Sequence, residues 1–93
     1  MRSRYSAFVL ENSDYLLATW HASTRPGQVN FSSDQRWLGL KIRNTERGLN
    51  GDDSGVVEFV ARYKIGGKGF RLHERSRFVF ESDRWYYVDG DLL

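Results

Sequence analysis

The sequence has no cysteine, a single proline, two histidines and no long apolar run, and each scarcity excludes something. Without cysteine there is no disulfide framework and no thiolate metal site. His21 and His73 stand far apart and make no ligand spacing, so neither a metal nor another cofactor is expected. No apolar stretch approaches the roughly 18 residues that a membrane-spanning helix needs. The opening MRSRYSAFVLEN has a polar-broken apolar stretch and no cleavage-like end, which argues against a signal peptide. The expectation is a cytoplasmic protein with no membrane partner. An excess of one charge is also lacking. Lys and Arg total 14 against 12 Asp and Glu, a net charge of +2, and so weak a balance does not imply nucleic acid.

What the 93 residues do contain is aromatic side chains, 15% of the total within a hydrophobic content of 40%. Each aromatic buries a large area, so a chain with room for one core is expected to build it from Phe, Tyr and Trp. Residues 1–93 are read as one domain. Eleven arginines against three lysines favour fixed ion pairs and bidentate contacts, because guanidinium is planar and forked.

From residue 2 to about 21 the apolar spacing is helical. Tyr5, Phe8 and Val9 form one stripe, and Leu16, Leu17 and Trp20 form another. Glu11-Asn12-Ser13-Asp14 breaks them, with Ser13 suited to an N-cap. Two short helices or one bent helix are expected. Residues 22–36 are polar and show no period; a short turn anchored by Val29 or Phe31, or a lid, would account for them. From Trp37 the period becomes two. Four strands are expected: one in which Leu38, Leu40 and Ile42 share a face, then Gly55–Ile65, Phe70–Phe80 and Trp85–Asp89, with residues 44–54 as a loop. The fold class is therefore α+β, with N-terminal helices on an antiparallel four-stranded sheet.

Gly66-Gly67 is a strong two-residue hairpin signal, and Ser82-Asp83 a weaker one. Together they fix a register. Tyr63 faces Phe70, Ala61 faces Leu72, Phe59 faces Glu74 and Val57 faces Ser76; beyond the second turn, Phe80 faces Trp85, Phe78 faces Tyr87 and Ser76 faces Asp89. On the opposite face Arg62 meets Arg71, Val60 meets His73, Glu58 meets Arg75 and Arg77 meets Val88. The first face is aromatic and belongs under the helices, yet Glu74, Ser76 and Asp89 lie within it. Buried carboxylates are costly unless partnered. They either floor a ligand pocket or pair structurally, Glu74 with Arg2 or Arg4. Gly66-Gly67-Lys68-Gly69 joins two strands and is a turn, not a phosphate loop.

Beyond these patterns, the blocks MRSRYSAFVLENSDYLLATWHASTRP, RWLGLKI, GVVEFVARY, HERSRF and RWYYVDG, in that order, resemble the middle domain of the YchJ family of bacterial proteins. The resemblance covers nearly the whole chain. It implies a nuclear-transport-factor-2-like (cystatin-like) fold, a cone in which helices are cradled by a strongly curved sheet. Fold alone does not select an activity, and the family supplies no catalytic residues to carry over. Typical members flank this domain with cysteine-rich SEC-C motifs, which resemble zinc-binding interaction tails; the present sequence lacks them, and any zinc or partner binding they confer is expected to be missing. The family's usual proline after TWH is Ala22 here, and its usual Asp-Gly or Asn-Gly turn is Ser82-Asp83.

The leading expectation is a non-catalytic binding domain whose cone takes a small molecule or peptide, lined by Trp20, His21, Tyr63, Glu74, Ser76, Tyr87 and Asp89. The rival is a homodimerising or protein-docking surface on the outer sheet face around Val60, Arg62, His73, Arg75, Val79 and Tyr86. A weaker third reading is an enzyme using His21 with Glu74 or Asp89 as acid and base, which requires these groups within hydrogen-bond reach.

Overall fold

A computed structural model describes residues 1–31, 34–48 and 51–93. Ser32 and Ser33 of the polar 22–36 segment, and Leu49 and Asn50 of the loop expected at 44–54, lie outside the described residues. Two short helices, α1 (Arg2–Val9) and α2 (Ser13–Ala18), precede four strands: β1 (Gln35–Arg47), β2 (Ser54–Ile65), β3 (Lys68–Glu81) and β4 (Arg84–Leu92). The strands form one open antiparallel sheet in the order β1-β2-β3-β4, with the helices packed against it.

The break between the helices has a local cause. Glu11 takes a left-handed backbone (φ 54°), and the amides of Glu11 and Asn12 donate to the carbonyls of Phe8 and Ala7. This is a Schellman ending, which satisfies the last carbonyls of α1. Asn12 then caps α2, its Oδ1 accepting from the Tyr15 amide at 3.1 Å; the cap expected at Ser13 falls one residue earlier. The helical stripe is also displaced. Arg4, Ala7 and Leu16 are buried, while Val9 is 46% exposed.

The β2–β3 register is the expected one throughout, from Tyr63 opposite Phe70 to Val57 opposite Ser76. Gly66 and Gly67 both have positive φ, at 58° and 83°, as a type I′ hairpin requires. Ser82 and Asp83 adopt the same turn at φ 51° and 63° without the relief of glycine.

Bulges depart from strict alternation. In β1, extra residues at Leu38 and Arg43 shift the pairing, so Trp37 faces Tyr63, Leu40 faces Ala61 and Ile42 faces Phe59. Leu38, expected beside Leu40, is 56% exposed, and Trp37 takes the inner position. A third shift falls after Phe78–Tyr87, where Val88 is the additional residue: Arg77 pairs with Asp89, and Ser76 with Gly90. A bulge bends the strand that carries it and increases its twist, which suits a sheet that wraps around helices.

Candidate functional site

The inner face gathers its aromatics in two groups. In one, Trp37 lies edge-on or tilted against Tyr5, Phe8 and Tyr63, and Tyr63 stacks on Phe70 at 5.4 Å. In the other, Tyr87 meets Trp20 at 5.2 Å and Phe78 at 5.7 Å, both edge-to-face. Arg4 reaches into this second group from the first turn of α1. Its guanidinium carbon is 3.8 Å from the centre of the Tyr87 ring, 4.5 Å from Trp20 and 5.4 Å from Phe8. Only 6% of Arg4 is exposed, and its Nη1 has no hydrogen-bond partner among the described residues. The Trp20 Nε1, in the same group, is likewise buried without a partner.

Glu74 stands near this cation but forms no ion pair with it among the described residues. Its carboxylate accepts from the Ser76 hydroxyl at 2.5 Å, and Ser76 is fully buried. It also lies over Gly90: a Cβ built there would meet Glu74 Oε2 at 2.5 Å, so glycine at this position makes the room. The charges are mutually felt. Burial holds the Arg4 guanidinium below its ordinary pKa, opposed by Tyr87 and by the Glu74 charge. Burial and the Glu74 carboxylate push the Tyr87 hydroxyl up to about 12, against the pull of Arg4.

Beside Arg4 and Tyr87 opens a cleft of about 740 Å³ between the helices and the open end of the sheet. Val56, Val57, Phe78 and Trp85 supply apolar wall; Arg4, Arg47 and Arg84 supply charge, and no Asp or Glu is among the lining residues. Gly55 keeps the β1–β2 end tight, since a Cβ there would come 2.8 Å from the Gly48 Cα. A second cleft, of about 550 Å³, lies at the other end between Phe8, Phe31 and Trp37.

The expected pocket residues divide three ways. Tyr87 lines the main cleft, and Trp20, Glu74 and Ser76 cluster with Tyr87 and Arg4. Tyr63 belongs to the distant Trp37 group. His21 and Asp89 are corrections. The ring of His21 is held by Glu81 at 2.5 Å and Ser23 at 2.6 Å and rests edge-on to Tyr86. Its placement follows from the backbone: residues 19–21 pair with β4, the His21 amide donating to the Tyr87 carbonyl. Asp89 pairs with Arg77 because the Val88 bulge turns it to the outer face. Neither histidine–carboxylate pair of the enzymatic reading is assembled.

The outer face also departs from its expected form. Val60 is only 4% exposed, between Lys41 and His73 in the register, so it leaves no free surface for docking. His73 binds Glu58 at 2.7 Å, Arg75 binds Glu46 at 2.8 Å, and Arg77 bridges Asp89 and Asp91. The two carboxylates hold the Arg77 guanidinium above its ordinary pKa. Arg62 and Arg71 stand opposite one another and exposed, while Val79 opposite Tyr86 is half-buried. Among the described residues no group of three or more His, Cys, Asp or Glu could hold a metal ion, and no helix is long and apolar enough to cross a membrane.

Residues 1–90 match the family described as "YchJ, middle NTF2-like domain". The chain belongs to this family. It is 63% identical over 91 residues to a UPF0225 protein of Polaromonas naphthalenivorans, a match covering 98% of this chain and 65% of that protein. It is 56% identical to a UPF0225 protein of Chromobacterium violaceum, covering 97% of this chain and 69% of that one. The YchJ domain thus spans about two thirds of the length of the curated relatives it matches. The solution structure of a SEC-C motif containing protein from Rhodopseudomonas palustris superposes with a TM-score of 0.83 at 31% identity, over 100% of this chain and 75% of that one.

Proposed function

We propose that this YchJ domain is a non-catalytic binding module whose main cleft takes a small molecule. One observation carries the reading: a nearly buried arginine with an unpartnered Nη1 forms part of the wall of an open cleft. Buried polar groups nearly always find a partner, so an orphan of this kind beside a cleft supports a site that a further group completes. Clefts of several hundred Å³ with apolar walls and a few polar groups are the usual form of small-ligand sites. The enzymatic alternative loses support because His21 is engaged by Glu81. The outer-face alternative is weakened because Val60 is buried and Arg75 and Arg77 have acidic partners, which leaves Arg62 and Arg71 as its exposed cations.

Native mass spectrometry of protein purified without added ligand tests the reading, with Val57→Trp as the cleft-filling comparison. A stoichiometric extra mass in the wild type that is lost in Val57→Trp supports it. A bare species at twice the monomer mass, unchanged by Val57→Trp, would move the weight to an interface between two copies.

A further inference from the structure

We propose that the ligand of the main cleft is an organic monoanion, a carboxylate on an apolar body, with its head against Arg4. This rests on the binding reading above and narrows it to a chemical class.

The charge lining the cleft is of one sign. Arg4, Arg47 and Arg84 border it, and none of the lining side chains is a carboxylate. Arg47 has Asp52 at 4.0 Å on an exposed loop, whereas Arg4 is enclosed by Tyr87, Trp20 and Phe8 with Nη1 unpaired. The rings fix the guanidinium plane before any ligand arrives, so little conformational freedom is lost on binding. A charge-assisted hydrogen bond from the guanidinium of Arg4, which borders the cleft, would then form beside rings that shield it from water, where it is strongest.

The remaining features choose among anions. Glu74 already places one negative charge near Arg4, and its repulsion weighs twice as heavily on a dianion as on a monoanion. A phosphate dianion would also surrender more hydration on entering an aromatic enclosure than a carboxylate does. Beyond the head, Val56, Val57, Phe78 and Trp85 present an apolar wall suited to a hydrocarbon or aromatic body. Tyr15 and Thr19 add hydroxyls at the helical side, Tyr15 donating to Ser3 at 2.8 Å.

The test needs no variant in its first arm. Matched acid and amide pairs (benzoate and benzamide, 2-naphthoate and 2-naphthamide, decanoate and decanamide) are titrated into wild-type protein and followed by calorimetry and amide chemical shifts. At least one acid is expected to bind about tenfold or more tighter than its amide, the worth of a charged over a neutral hydrogen bond, with shifts centred on Val57, Phe78 and Tyr87. Arg4→Met should abolish that preference while the amide's affinity stays within about threefold, a change worth less than one neutral hydrogen bond. Equal binding of acid and amide, or a preference that survives Arg4→Met, overturns the carboxylate assignment and leaves the cleft as a neutral-ligand site. If no compound of the set perturbs the cleft residues, the assignment and the binding reading fall together.

Discussion

Replacing Arg4 by methionine separates a cation held for a ligand from a cation that holds the fold. Enclosing a guanidinium costs several kcal/mol of hydration per ion, even after relaxation. Opposing this are close contacts with the Tyr87 and Trp20 rings at 3.8 and 4.5 Å, worth about 1–2 kcal/mol each when desolvated, and a longer-range attraction to Glu74. These terms nearly cancel. Methionine removes the hydration cost, keeps most of the side-chain length, and recovers about 0.3–1.5 kcal/mol through sulfur–aromatic contact with the same rings. The expected outcome for ligand-free Arg4→Met is a stability within about 1 kcal/mol of wild type or above it, a shift in Tm of no more than roughly 5 °C for a chain of this size. An arginine locked to Glu74 predicts the reverse, a loss of about 3–5 kcal/mol from the carboxylate left behind. Urea unfolding followed by tryptophan fluorescence measures the difference, because Trp20 reports from within the enclosure. A double-mutant cycle with Glu74→Gln supplies the coupling energy, expected below about 1 kcal/mol. A loss beyond about 2 kcal/mol in Arg4→Met, with coupling of similar size, would show that the arginine is structural and refute the reasoning.

Two further expectations follow from the backbone and from the raised tyrosine. Asp83→Gly and Glu11→Gly each relieve a left-handed residue, at φ 63° in the β3–β4 turn and φ 54° at the end of α1, and each should add about 0.5–1 kcal/mol after the entropy of the unfolded glycine is subtracted; a lowered Tm in both variants would contradict the turn assignments. Tyr87 is pushed up to about 12 by burial and by Glu74, so the fold favours its neutral form. The associated stability is whole below pH about 10, the unfolded value, and is lost as pH rises toward 12. Absorbance titration at 295 nm should show Tyr87 ionising last of the five tyrosines, with Tyr5 also raised by burial, and the last step should vanish in Tyr87→Phe; a last step unchanged in that variant would assign it elsewhere.

The sequence shows where the sheet turns but not where it bends. Two positive-φ pairs, Gly66-Gly67 and Ser82-Asp83, set every partner from Tyr63–Phe70 to Phe78–Tyr87, because a two-residue hairpin leaves no freedom of register. A bulge adds one residue and inverts all that follows, and alternation alone does not announce it. Val88 does so invisibly, since Tyr86, Tyr87 and Val88 suit either face of a sheet; the cost was the placement of Asp89. Leu38 does the same for Trp37. The position of His21 is hidden for a different reason: it depends on residues 19–21 pairing with the β4 edge, a non-local contact without periodicity.

Arg4 was legible only as a possible partner of Glu74, because a charged residue on a helix is ordinarily assigned to solvent. Yet its spacing from Ala7 and Phe8 puts all three on one face of α1, and burial of a cation on that face requires compensation. The rings of Tyr87, Trp20 and Phe8 supply part of it, and Glu74 a further part at a distance. What they leave unmet is the Nη1 group of a residue that borders a cleft with no Asp or Glu among its lining residues. A core built for stability alone would favour an apolar residue of similar volume at this position. On the proposed reading, an arginine there serves an anion that comes and goes, and the energy withheld from folding is available to binding.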